Sequence, residues 1–224
     1  MKRRLSTYLP AAFMACWLLV SCSKWDDFKK YQVDGETLYT GKLDSIRVFS
    51  GNERVKLRGV LMPDPKIAKV RITWNDGADS LFFPIDKGAP RLFEQTFPVS
   101  EGVKSFRVHT FDAQGNISVP VNAIGTSYGT AYKRKLTNRN VTSAVFAGGN
   151  TTINWDQIDF SIGAQYTETE YVVNGVTLNV KTPVTQASTV LTGFNTTTTK
   201  FRYRTVFRPD TSCIDYFYTD FVER

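Results

Sequence analysis

Lys69-Val70-Arg71-Ile72-Thr73-Trp74-Asn75 decides how this chain is read. Val70, Ile72 and Trp74 alternate with Lys69, Arg71 and Thr73. That is the period of two a strand needs to lay one face on a core and leave the other in water. Asn75-Asp76-Gly77 follows at once and supplies turn chemistry, because these residues tolerate the left-handed backbone of a tight bend. Outward from this stretch the pattern repeats. Residues 105–111 carry Phe106 and Val108 on one face and run into Asp112-Ala113-Gln114-Gly115-Asn116, where glycine can take a positive φ. Strands expected near 46–49, 55–61, 81–85, 92–97 and 117–124 bring the set to about seven, with no convincing helix between them. Such a series is the sequence expectation for an immunoglobulin-like β-sandwich, assigned to residues 42–126.

A second series follows Gly125-Thr126-Ser127-Tyr128-Gly129, which reads as an interdomain junction. Asn174-Gly175, between Tyr171-Val172-Val173 and Val176-Thr177-Leu178, is a strong two-residue hairpin signal. Ile153-Asn154-Trp155 resembles the Trp-bearing second strand of a fibronectin type III domain. Val190-Leu191-Thr192-Gly193-Phe194, followed by Phe201-Arg202-Tyr203-Arg204, resembles that fold's leucine-to-tyrosine-corner stretch. Phe201 stands where the fold has tyrosine and lacks the hydroxyl that defines the corner. The expected fold class is therefore all-β: two tandem immunoglobulin-like/fibronectin type III-like β-sandwich domains, the second over residues 127–224.

The N-terminus has the three-part order of an export signal. Lys2, Arg3 and Arg4 form a cationic start, residues 11–20 an apolar stretch, and Leu18-Leu19-Val20-Ser21-Cys22 a bacterial lipobox. The apolar stretch is too short, and too soon followed by charge, for a spanning helix. Residues 1–21 are thus expected to be a lipoprotein signal peptide, with Cys22 the lipidated residue and residues 22–41 a polar tether. Ser23-Lys24-Trp25-Asp26-Asp27-Phe28-Lys29-Lys30 resembles the post-cysteine export signals of Bacteroidota lipoproteins, with Asp26 and Asp27 as the acidic residues. The location implied is the outer membrane, lipid-anchored and exposed at the cell surface. Processing would remove Cys16 and lipidate Cys22, leaving Cys213 as the lone free thiol, so the fold must hold by burial of its core over about 200 residues, without an intramolecular disulfide. It would also lower the formal charge from +7 to +4. Such a mild balance, with its cations dispersed, is not a nucleic-acid signature.

The chain offers little familiar catalytic chemistry. Its one histidine, His109, falls on the expected outward face of its strand, and nothing signals that it meets Cys213. No His/Cys cluster supplies a metal site, and no cofactor is expected. Gly148-Gly149 lacks the lysine and helix start of a phosphate loop. Paired carboxylates, as glycoside hydrolysis uses, stay formally open without a motif. The chain is expected not to be an enzyme. Aromatic residues are the alternative candidates, because sugar sites use ring faces flanked by polar groups. Trp74 and Trp155 lie on the apolar phase of their strands and are expected in the core. Phe82 and Phe83 put one ring on each side of a strand, and Tyr216, Phe217, Tyr218 and Phe221 raise the same question near the end. Phe82, Phe83, Tyr216 and Tyr218 are the candidate ligand-binding residues, with an interdomain contact as the competing role.

Several landmarks in order carry a wider resemblance: Tyr39-Thr40-Gly41-Lys42-Leu43-Asp44-Ser45, Trp74-Asn75-Asp76-Gly77, Asp112 with Gly115-Asn116 and Ser118, Tyr128-Gly129 with Leu136 and Asn138-Arg139, and Ile214-Asp215-Tyr216-Phe217-Tyr218-Thr219. The chain resembles a Bacteroidota family of two-sandwich lipoproteins of unknown function, often encoded near polysaccharide-utilisation genes. That resemblance implies a non-catalytic surface role, with glycan or outer-membrane uptake proteins as partners, or alternatively a structural or adhesion scaffold for other surface proteins.

Overall fold

The computed structural model describes residues 38–86, 88 and 90–224. The expected signal peptide, Cys22 and the tether through residue 37 lie outside the described residues. Thr40 to Arg224 form one compact unit.

Seven strands build the first sandwich: β1 (Leu43–Ser50), β2 (Arg54–Leu61), β3 (Ile67–Trp74), β4 (Asp79–Pro84), β5 (Leu92–Pro98), β6 (Gly102–Asp112) and β7 (Val121–Ser127). All neighbours pair antiparallel, in the orders β1-β2-β5 and β4-β3-β6-β7. The fourth strand joins β3 rather than β5, whereas a constant-type immunoglobulin domain keeps its fourth strand in the other sheet. The alternation seen in the sequence sets the register. Val70, Ile72 and Trp74 meet Phe93, Phe97, Phe106 and Val108 in one buried cluster. Trp74 lies 5.4 Å from the Phe97 ring and 6.1 Å from Phe106. Burying one such large side chain stabilises the fold by about 1.5–3 kcal/mol.

The last strand of this sandwich differs from expectation. Residues 117–120 lie outside it; Ile117 makes only an isolated bridge to Phe111, and Pro120, which has no N–H to give to a ladder, stands just before β7. Ser118 is buried instead, its hydroxyl accepting the Thr110 N–H. Asp112 closes the preceding bend, its carboxylate accepting the N–H groups of Gln114 and Asn116 and the Asn116 amide. Gly125 to Ser127, read as junction, belong to β7, where Gly125 packs against Val48. The junction is Tyr128-Gly129 followed by one helical turn, Thr130–Lys133.

The second sandwich repeats the arrangement with β8 (Val141–Ala147), β9 (Asn150–Trp155), β10 (Ala164–Val173), β11 (Val176–Pro183), β12 (Ser188–Thr192), β13 (Arg202–Phe207) and the short β14 (Phe217–Tyr218) and β15 (Val222–Glu223). The orders are β12-β9-β8 and β11-β10-β13-β14, with β15 beside β13. Asn174 (φ 51°) and Gly175 (φ 80°) turn β10 into β11, as a type I′ hairpin requires. Trp155 is buried against Tyr203 and donates its indole N–H to Thr189 Oγ1 at 2.7 Å. Phe201 keeps the corner's packing position, fully buried between Phe194 and Tyr203, and its backbone pairs with Arg224. Both sandwiches thus share one strand order, three plus four in the first and three plus five in the second, where β14 and β15 both pair with β13, and the described residues are all-β apart from single helical turns.

Candidate binding surfaces

In the first sandwich the outward positions of β4, β3 and β6 form one surface. Register places Phe82 beside Arg71, Arg71 beside His109, and Lys69 beside Phe111. Phe82 is 52% exposed, and its ring lies 6.2 Å from that of Phe111. The cations sit on these rings: Lys69 Nζ is 5.3 Å from Phe82 and 5.2 Å from Phe111, and the Arg71 guanidinium is 5.0 Å from Phe111. Cation–ring contacts at such half-exposed sites contribute about 0.5–1 kcal/mol each and restrict the side chains. His109 Nδ1 lies 3.1 Å from the Ser118 carbonyl, which can only accept, so Nδ1 carries the proton. Phe83 points the other way and packs on Phe93 and Phe97. Of the two candidate phenylalanines, only Phe82 is available to a ligand.

The equivalent surface of the second sandwich holds Tyr216 and Tyr218, 47% and 46% exposed. Tyr216 stacks near Tyr166 at 6.5 Å. The Arg204 guanidinium lies 4.4 Å from Tyr218 and 4.5 Å from Phe221, and Arg202 lies 4.7 Å from Phe221. Here each arginine also has a carboxylate: Arg202 pairs with Glu170 and Arg204 with Glu168, both at 2.6 Å. The structure brings Tyr216 and Tyr218 to one face and leaves Phe82 on the other sandwich.

Two of the sequence landmarks, Tyr128-Gly129 and Ile214-Asp215-Tyr216-Phe217-Tyr218, meet at the joint between the sandwiches. Ser50 Oγ donates to Asp210 at 2.7 Å, and the Ile214 N–H donates to the Ser50 carbonyl at 2.8 Å. Asp215 accepts the Asn52 N–H at 2.8 Å and both Arg54 Nε and Nη2, at 2.9 and 2.5 Å. The Arg54 hydrogen bond holds the Asp215 carboxyl below the usual carboxylate range. Glu101 accepts the N–H groups of Ala131 and Tyr132, fixing the helical turn. Tyr128, Tyr132 and Phe217 stack edge to face or tilted within 6.2 Å of one another. Burial, with the Asp210 carboxylate beside it, pushes the Tyr128 phenol up to about 12. Cys213 is buried in the same joint, where burial pushes its thiol up, and it does not meet His109. Neither a low-pKa thiol nor a nucleophile–base pair results.

Among the described residues no group of three or more His, Cys, Asp or Glu could hold a metal ion. A cavity of about 620 Å³ lies at the free end of the first sandwich, lined by Leu61, Asp64, Ile67, Ile85, Asp86 and Arg91. Its Asp64 carboxylate is taken by the N–H groups of Gly41 and Lys66, which hold it below its ordinary pKa. Sequence reasoning missed the cation ladders and the Asp215–Arg54 lock. The alternation at Lys69 and Arg71 signalled the first, whereas the second joins residues 161 positions apart with no local signal.

A family model, DUF4998, described as a domain of unknown function, matches residues 22–217. No curated protein matches the chain. Among solved structures, a two-domain fibronectin type III segment of chicken tenascin is 11% identical with a TM-score of 0.32, covering 82% of this chain and 97% of its own. The FN1–FN3 domains of chicken CNTN1 are 9% identical with a TM-score of 0.42, covering 85% and 69%.

Proposed function

We propose, for a chain that belongs to the DUF4998 family and whose role is therefore read from its own geometry, a non-catalytic, lipid-anchored presentation module of the cell surface. The observation that carries this is the joint. Two sandwiches connected for motion would meet through a sparse polar linker. These meet through the buried ring of Phe217 with the partly buried rings of Tyr128 and Tyr132 against it, and through Ser50–Asp210 and Arg54–Asp215 bonds that cross from one sandwich to the other. A joint so filled favours a stiff arm that holds its outward sheet faces toward a glycan or protein partner, over a cleft that closes on substrate. The lipobox supports a tether at Cys22, and Asp26 and Asp27 after it support a place at the cell surface.

Three measurements test this. Cys22→Ala should move the protein from the membrane to the soluble fraction, and membrane retention of that variant overturns the anchor. Spin labels at Lys104 and Lys200, one on each sandwich, should give a single narrow distance distribution; a broad one overturns the stiff arm. Release of reducing sugar from any polysaccharide by the purified protein would overturn the non-catalytic role.

A further inference from the structure

We infer that the outward face of β4, β3 and β6 in the first sandwich is a binding site for an anionic polysaccharide, one bearing carboxylate or sulfate groups along its length. The inference rests on the surface-module proposal for the ligand's source, and on four observations for its chemistry.

First, the face is cationic without compensation. Its outward positions are Lys69, Arg71 and Thr73 on β3, Ser80, Phe82 and Pro84 on β4, Val103, Ser105, Arg107, His109 and Phe111 on β6, and Asn122, Ile124 and Thr126 on β7. None is acidic. The ion pairs among the described residues all lie elsewhere, and the arginines on the outward face of the second sandwich are neutralised by Glu168 and Glu170. Second, the cations form a row. Lys69 and Arg71 occupy successive outward positions of β3, and Arg107 faces Thr73 at the next. The row therefore runs roughly 13 Å, the length of a short oligosaccharide, with charges at a regular pitch. Third, Arg71 is held in place by the rings of Phe111 and Phe82, while its buried Nε has no hydrogen-bond partner. A guanidinium restrained this way loses little freedom on meeting an oxyanion. Fourth, the row ends in a polar depression of about 350 Å³ around Arg107, lined by Thr73, Asn75, Ser105 and Asn122, with Asp76 at the rim. Phe82, beside Arg71 in the middle of the row, offers a half-exposed ring. A ring for the apolar side of a pyranose, a row of charges for its acidic groups, and hydroxyl and amide groups for its hydroxyls make up a carbohydrate site rather than a lipid one.

The test is affinity electrophoresis of the full chain, extracted in mild detergent, through native gels containing polygalacturonate, dextran sulfate or neutral dextran. Either anionic polymer should retard the protein and neutral dextran should not; the two anionic gels separate carboxylate from sulfate recognition. Arg107→Glu should weaken binding about tenfold, and Phe82→Ala about threefold. Lys181→Glu, the same charge change on the other sandwich, should leave it unchanged. Circular dichroism melts of each variant establish that it is folded. Equal loss in Lys181→Glu and Arg107→Glu, tighter binding to anionic vesicles or to DNA, or no retardation in either anionic gel overturns the inference. The last outcome leaves the stiff surface module standing, because the spin-label distances decide that separately.

Discussion

Replacing Asp215 with alanine tests the joint most directly. The substitution removes the acceptor of three hydrogen bonds, one from the Asn52 backbone and two from Arg54. A largely buried backbone N–H left without a partner costs about 1–2 kcal/mol. Arg54 is about half exposed at its side chain, so solvent screens the ion pair and its loss adds only about 0.5–1 kcal/mol. The variant should therefore be less stable by about 2–3 kcal/mol, a fall in Tm of about 5–10 °C for a unit of this size. Asp215→Asn keeps a carbonyl oxygen for the Asn52 N–H and should lose only about 1 kcal/mol. The pH dependence has a definite sign. Arg54 depresses the folded-state pKa of Asp215, so its stabilisation is complete above the unfolded value of about 3.9 and drains away as pH falls below it. The wild type should lose more stability between about pH 4 and pH 3 than Asp215→Asn does. Differential scanning calorimetry of the full chain across that window measures both. A Tm for Asp215→Ala within about 1 °C of wild type, or equal losses in the alanine and asparagine variants, would refute this account of the joint.

Other consequences follow from packing and burial. Gly125→Ala would set a methyl group 2.7 Å from Val48 Cβ, a clash between β7 and β1 that should cost about 3 kcal/mol; in urea melts, adding Val48→Ala should recover part of that loss, and strict additivity would exclude the clash. Trp155→Leu removes the indole bond to Thr189 and the ring contact with Tyr203, and should lower stability by about 3 kcal/mol in chemical denaturation. At alkaline pH, Tyr128 stays protonated to about 12 in the fold, against about 10 when unfolded, so its contribution is intact below pH 10 and lost as pH rises toward 12. Phenolate absorbance should show a late-titrating class of tyrosines coincident with unfolding, and uniform titration near pH 10 would contradict it.

Strand identity was legible wherever one face is buried and the turn is local. Lys69 to Trp74 and the Asn174-Gly175 hairpin were read correctly because side-chain period and turn chemistry are both written in consecutive residues. Residues 117–120 were misread because Ile117 and Val119 mimic alternation, while the structure obeys two non-local facts: Asp112 captures the bend, and Ser118 is turned inward onto Thr110. That Phe82 and Phe83 part to opposite faces was also legible. Which of them faces outward depends on β4 registering against β3, and no local pattern holds that. The joint was the least legible part. Ile214-Asp215 looks like an ordinary polar approach to a strand until it stands beside Ser50 and Arg54.

The two outward faces show what folding does and does not require of these sequences. Both sandwiches rest arginines of a central strand on aromatic rings, Arg71 of β3 in the first and Arg202 and Arg204 of β13 in the second, although the strands that carry them are not equivalent. Pairing those arginines with carboxylates is a separate choice, present at Glu168 and Glu170 and absent beside Arg71 and Arg107. The more exposed of these pairs, Arg202–Glu170, contributes only about 0.2–1 kcal/mol, whereas Arg204 meets a buried carboxylate at Glu168. Stability therefore does not demand that the cations of the first face stay unpaired. What differs is the field each face shows to solvent. The second is closed by its own counter-charges and suits packing or display, whereas the first leaves its cations unsatisfied in a row, where an anion from outside supplies the missing partner.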